Sequence, residues 1–133
     1  MRHKPCLTTS DVRVMAAAAQ AEAQRNGWVV TVAIVDDGGH LLFLERDGAK
    51  ISTINVALGK ARTSALMQYP SGNLQSRIKD NPQLMALDAM PLQGGLPIIH
   101  GGECIGGIGV SGVLAEQDEQ VCGAALEALA KLP

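Results

Sequence analysis

Two turn signals, each set between apolar runs, constrain this chain more than any other feature. Asp36-Asp37-Gly38-Gly39 separates Trp28–Asp36 (WVVTVAIVD) from His40–Glu45 (HLLFLE). Asp-Gly and Gly-Gly pairs admit the positive φ of tight hairpin turns, so these runs pair antiparallel. Gly101-Gly102 plays the same part between Leu96–His100 and Cys104–Val110. The nearly continuous apolar character of the first run predicts a strand covered on both faces. Hairpin-linked strands argue against a doubly wound parallel sheet. They predict an α+β fold, an antiparallel sheet of about four to five strands built from two hairpins and flanked by helices.

The segments around the hairpins carry helical periodicity. Thr8 followed by Asp11 is a capping box with Asp in place of Glu or Gln. Val12, Ala16, Ala19 and Ala23 then recur at helical spacing, and Gly27 is the stop. Val14, Ala17, Ala18 and Ala21 form a second apolar face. Either another element or a second subunit covers that face, or alanine fills exposed helix positions there. A second helix is predicted from about Ser52 to Met67, with Ile54, Leu58, Ala61 and Ala65 on one stripe. Lys60 lies on one flank of it beside Thr53 and Ser64, and Arg62 lies beside Asn55 on the other. Tyr69-Pro70-Ser71-Gly72 breaks this helix, and Ser71–Ala89 holds one or two short helices interrupted at Asn81-Pro82. A last helix begins near Leu114, with Val121, Ala125, Ala128 and Leu132 facing inward. The order is α-β-β-α-α-β-β-α, and nothing divides residues 1–133 into two domains.

Composition closes off several functions. A net charge of -2, from 11 basic and 13 acidic residues, leaves no basic footprint for nucleic acid or anionic membrane. The apolar stretch Met15–Ala19 is too short to span a bilayer. The start, Met1-Arg2-His3-Lys4-Pro5-Cys6, is basic like a signal n-region. Asp11 and Arg13 interrupt the stretch where an apolar region would have to lie, so a cytoplasmic location is expected. Cys6, Cys104 and Cys122 form no Cys-x-x-Cys pair, which argues against zinc and against a disulfide framework. Aromatics make up only 2% of the chain, so aliphatic side chains and glycine-mediated contact must fill the core.

Candidate ligand-binding positions follow from chemistry. The densest glycine clusters are Gly94-Gly95 and Gly106–Gly112, which includes Gly109 and Ser111. Glycines let a backbone approach a ligand or cradle an anion, or they thin a strand for close helix packing. Arg46 and Lys60 together suit a carboxylate, Arg as a planar fork and Lys as a point charge. The alternative is a salt bridge from either to Asp47 or Asp118, and Asp118 and Glu119 also complement the dipole of the last helix. Asp36 and Asp37 serve the turn. Ser111 lacks the Gly-x-Ser-x-Gly elbow, and no metal-binding spacing occurs. A Ser-Lys or Asp-based catalytic site remains open as an alternative reading.

Taken together, Val32–Leu41, Arg46-Asp47-Gly48-Ala49, Lys60-Ala61-Arg62-Thr63, Leu92–Ile98, Ile105–Gly112 and Gln117-Asp118-Glu119 resemble the GlcG/HbpS-like family, which also forms the C-terminal domain of PduO-type proteins. The resemblance runs in order over nearly the whole chain. It implies a homo-oligomer, often an octamer in this family, and an accessory protein binding haem, a corrinoid or a small carboxylate-bearing metabolite. An enzyme of a glycolate, glycerol or propanediol pathway, with Lys60 or Asp118 as acid/base, and a purely structural subunit are the rival readings. Ser71 matches a Ser/Thr position that follows the corresponding helix in relatives. For a bound iron the sequence offers His40 and His100 at hairpin edges, and His3 near the start.

Overall fold

The computed structural model describes residues 1–133. Its elements run α1 (Thr9–Arg25), β1 (Thr31–Asp36), β2 (Leu41–Arg46), α2 (Thr53–Met67), α3 (Ser71–Asp80), a 3-10 turn (Pro82–Ala86), β3 (Gly95–His100), β4 (Glu103–Ser111) and α4 (Ala115–Ala130). The four strands form one antiparallel sheet in the order β2-β1-β4-β3. Each predicted hairpin is present, and β1 and β4 are central because the hairpins join side by side. Strand β1 begins at Thr31 rather than Trp28. Trp28 instead donates its amide to the Ala23 carbonyl and closes α1.

The capping box of α1 forms as the sequence predicts: Thr8 Oγ1 accepts from the Asp11 amide, and the Asp11 carboxylate accepts from the Thr8 amide. At the first hairpin, one Asp36 oxygen accepts from the amides of Gly38 and His40. Lys4 Nζ lies 3.0 Å from the Asp37 carboxylate.

Alternation along the strands divides the core in two. Val32, Ile34, Ile98, Ile105, Ile108 and Val110 pack with Val12, Met15, Ala16 and Ala19 of α1 and Val121, Cys122 and Ala125 of α4. On the opposite face, Ala33 and Val35 pack with Ala57, Ala61 and Ala65 of α2. The second layer is built almost wholly from small residues, and β4 explains why. A Cβ on Gly109 would overlap the Ala57 carbonyl and stand 2.5 Å from the Ala61 nitrogen. One on Gly107 would overlap the Ala61 carbonyl and lie 3.0 Å from the Ala65 nitrogen. Helix α2 therefore rests on bare strand backbone, and Gly107 and Gly109 of the Gly106–Gly112 cluster thin β4 for that packing.

The same packing corrects the predicted stripe on α2. Ala61 and Ala65 are buried as expected, but Ile54 and Leu58 are only half-buried. The buried residues are Thr53, Ala57, Lys60, Ala61, Thr63, Ser64 and Ala65: the alanines are what fits against Gly107 and Gly109, and Lys60 passes beside Gly94. Helix α4 ends at Ala130, so Leu132 falls outside it and is exposed, and Ala128 is only partly buried. On α1, Val14 and Ala18 are half-buried while Ala17 and Ala21 face outward, so this fold leaves the second alanine face largely open. No helix is long and apolar enough to cross a membrane.

Candidate functional site

Lys60 sits at the middle of α2, on the face pressed against the sheet. Its stem runs past Gly94, where a Cβ would stand 2.6 Å from the ammonium. Gly94 also holds φ at +125°, a conformation open to glycine and strained for other residues. Through this gap at the start of β3, Lys60 Nζ donates to the Val110 carbonyl at 2.9 Å and to the Asp118 carboxylate at 3.1 Å. Asp118 belongs to α4 in the opposite layer, so one ion pair ties the two helical layers together. Both side chains are closed to solvent, at 5% and 3% exposure.

The second Asp118 oxygen accepts from the Val113 amide at 3.2 Å. Burial pushes the Asp118 carboxyl up from its ordinary value, against the pull of the Lys60 ammonium and these hydrogen bonds. Cys122, one turn on, donates its thiol to the Gly94 carbonyl, and burial pushes that thiol far above the usual range. Ser71 completes the enclosure. Fully buried at the first position of α3, it donates to the Leu92 carbonyl and accepts from the Gly95 amide at 2.9 Å. A Cβ on Gly95 would stand 2.8 Å from Ser64 Oγ, a buried hydroxyl with no partner.

The fold thus brings Lys60, Ser71, Gly94, Gly95, Gly109 and Asp118 into one cluster. The pairing of Lys60 with Asp118 is the salt bridge that sequence reasoning held as the alternative to a carboxylate site. Arg46 stands apart. It is exposed at the end of β2, in register with Thr31, and donates to the Ala49 carbonyl at 3.4 Å. The ammonium of Lys60 reaches β4 instead, two strands away, which is about 10 Å by strand spacing. Ser111 is nearly buried and in register with Thr31 on its other side.

Outside the cluster lies a polar cleft of about 280 Å³ that the sequence did not disclose. Gly72, Asn73, Gln75 and Ser76 of α3 face Gln93 and Glu119 across it. Gln93 Nε2 donates to the Glu119 carboxylate at 2.6 Å, and its amide donates to Gln75 Oε1. The i, i+1 placement of Asp118 and Glu119, one inward and one outward, was the only available signal.

Two apolar grooves open elsewhere. One, of about 320 Å³, lies between the start of α1 and the edge strand β2, with Leu7, Val12, Leu42 and Phe43 on its walls. The other, of about 370 Å³, runs between β3 and the end of α4, with Pro97, Ile99, Leu126, Leu129 and Leu132. The imidazoles differ in their commitments. His40 Nδ1 lies 3.2 Å from Asp36 Oδ1. His100 has no hydrogen-bond or salt-bridge partner and stands at the rim of the second groove. No group of three or more His, Cys, Asp or Glu side chains converges for a metal ion.

Comparison with known proteins gives the same architecture. GlcG of Escherichia coli K12 is 38% identical over 115 residues, which is 84% of this chain and 85% of GlcG. The crystal structure of a double mutant of Streptomyces reticuli HbpS superimposes with a TM-score of 0.91 at 32% identity, covering 97% of this chain and 90% of that one. That of a PduOC:haem complex does so with a TM-score of 0.87 at 27% identity, covering 93% and 95%. The family model described as haem degrading protein HbpS-like matches residues 7–127, and this chain belongs to the HbpS-like family.

Proposed function

We propose that this chain is a tetrapyrrole-binding accessory protein that acts as a homo-oligomer. One observation carries the reading: the charged cluster is closed, whereas an open groove of about 370 Å³ is walled mainly by aliphatic residues, and a second of about 320 Å³ mixes apolar residues with Thr8, Thr9 and Arg13. Lys60 and Asp118 satisfy one another, so the cluster presents no free cation to a small carboxylate. The polar cleft carries Glu119 and no basic residue, so it repels a carboxylate as well. Grooves of this size fall within the range of about 300–1,000 Å³ in which small molecules and cofactors bind. Apolar walls with a few polar groups at the rim suit a flat macrocycle.

The donors present fit such a group. Iron in haem takes an imidazole nitrogen, and this chain offers an imidazole that no other side chain occupies. With so few aromatics, Leu, Ile and Pro would hold the ring by area burial rather than by stacking. When bound, the tetrapyrrole supplies a redox-active metal. Pro97, Ile99, Leu126 and Leu129 would give it an apolar seat, and an imidazole at the rim would supply a nitrogen donor to its metal. The structure of the related PduOC domain with haem supports the choice of ligand class.

Self-association is supported by surface that one protomer leaves open. Ala17 and Ala21 of α1 face outward, and Leu41 and Leu42 on the edge strand β2 are 51% and 42% exposed. The test is titration of the purified chain with haemin and with cobalamin, followed by absorbance, with light scattering on the same sample. The expected result is a saturable Soret shift with haemin, or the corresponding corrinoid shift with cobalamin, from a particle several times the 13.9 kDa protomer mass. Unchanged spectra with both would refute the ligand class. A 13.9 kDa particle at micromolar concentration would refute the oligomer.

A further inference from the structure

We infer that His100 would be the protein's nitrogen ligand to the metal of a tetrapyrrole held in the groove between the end of β3 and the C-terminal half of α4. This rests on the tetrapyrrole reading above and names the residue and the place.

Strand register puts His100 there. His100 pairs with Glu103, and Ile99 pairs with Cys104. Cys104 donates its thiol to the Ala65 carbonyl of α2, so Cys104 faces α2, while Ile99 opposite it is exposed on the edge strand and lines the groove. By alternation His100 points to the other face, towards α1 and α4. The extra residue of the nearby β-bulge, Ile105, lies on β4, so the alternation of β3 runs unbroken to its last residue.

Two openings meet at this imidazole. On one side is the apolar groove of about 370 Å³, where Pro97, Ile99, Leu126, Leu129 and Leu132 form the walls. On the other is a smaller cleft of about 200 Å³, which His100 shares with Asp11 and Cys6. The imidazole is close enough to Asp11 to help hold that carboxyl below its ordinary value, after the two hydrogen bonds from Thr8. A ligating histidine commonly turns its second nitrogen to a carboxylate, which fixes the tautomer and raises the basicity of the first. His100 lines the apolar groove on one side and shares the smaller cleft with the Asp11 carboxylate on the other, with no hydrogen bond joining the two.

The other imidazoles lack this placement. His40 is engaged by Asp36 at the opposite hairpin, and neither His40 nor His3 lines either apolar groove. An iron ligand must present a free nitrogen beside apolar surface, and among the three histidines only His100 does so.

The test is ferric haemin titration of the full chain, of His100→Ala and of His40→Ala, read by Soret absorbance and electron paramagnetic resonance. His100 is an exposed turn-edge residue, so His100→Ala should unfold at the same temperature as wild type. The expected result is a nitrogen-ligated ferric spectrum for wild type and for His40→Ala. His100→Ala should lose that spectrum, bind haemin at least roughly tenfold more weakly, and regain the spectrum when free imidazole is added. Ile99→Asp, which sets a carboxylate on the groove wall, should weaken binding without changing the type of ligation. If wild type binds haemin and His100→Ala keeps both affinity and spectrum, the assignment is overturned while the tetrapyrrole reading stands. If wild type shows no spectral change at all, the tetrapyrrole reading itself fails.

Discussion

Replacing Lys60 by methionine removes the only counter-charge of a carboxylate that is 3% exposed. The stem of the side chain keeps its volume, so the Gly94 gap stays filled and the change is electrostatic. Asp118 is left with a single donor, the Val113 amide at 3.2 Å. The Val110 carbonyl also loses the ammonium donor it has in the native structure. Breaking one side of a buried pair in this way costs about 3–5 kcal/mol. That is a large share of the roughly 5–15 kcal/mol by which domains are stable. With a urea dependence of about 2 kcal/mol per molar, the midpoint of chemical unfolding should fall by roughly 1.5–2.5 M. The loss should also depend on pH. Burial already raises the Asp118 carboxyl, and without Lys60 it should rise further. A folded state that holds a proton the unfolded chain releases becomes less stable as pH rises from the ordinary carboxylate value through the raised one. Lys60→Met should therefore be weaker relative to wild type at pH 7 than at pH 5. The double variant Lys60→Met/Asp118→Leu, which removes both charges, should recover most of the loss. A Lys60→Met midpoint within about 0.5 M of wild type at pH 7, or a double variant as unstable as the sum of the single ones, would refute the buried-pair argument.

Two further substitutions probe the rest of the frame. Gly109→Ala places a methyl group against the Ala57 carbonyl, which is backbone and has no room to yield. Thermal or urea unfolding should show a loss of about 1–3 kcal/mol or more, and an unchanged midpoint would mean that α2 does not rest on β4 backbone. Asp11 is held below its ordinary value by the Thr8 amide and hydroxyl, with a smaller pull from His100. Its contribution is present above the unfolded value and is lost as pH falls through the depressed folded one. Acid titration of Asp11→Asn should accordingly show less loss of stability below about pH 4 than wild type, and curves of equal steepness would contradict the capping-box account.

The hairpins and the α1 cap were legible because their causes are local. Asp36, Gly38 and Gly39 set one turn and Gly101-Gly102 the other, and Thr8 and Asp11 find each other within a single helical turn. What the sequence could not show is which layer each apolar stripe meets. Ile54 and Leu58 look like the inner face of α2 by hydrophobicity, but the partner surface is a strand of glycines about fifty positions away, and it selects Ala57, Ala61 and Ala65. The same non-local fact decides Lys60. In the sequence it could join Arg46 in holding a carboxylate or pair with Asp47 or Asp118. In the fold, Gly94 opens a passage through which it meets Asp118, 58 residues further along the chain. His100 was visible as a hairpin-edge histidine, but its groove is made by α4, whose end returns to that edge only in three dimensions.

These packing facts bear on where a ligand can be held. Helix α2 and strand β4 meet backbone to backbone, so the layer between them has no interior space, and on the other side α1 and α4 close over fully buried Ile34, Ile98, Ile108 and Val110. A core made almost without aromatics gains its density by close approach of backbones rather than by large side chains. Such a core is poorly suited to opening an internal pocket for a macrocycle, because lifting α2 off the glycines of β4 would leave buried backbone without partners. A ligand of that size must then sit at the rim of the sheet, where β3 ends and α4 leaves an aliphatic wall, or along the open edge of β2. Rim sites on one protomer cover a ligand on one side only. A second copy laid against the same edge would enclose it, so binding and self-association in this chain should strengthen each other.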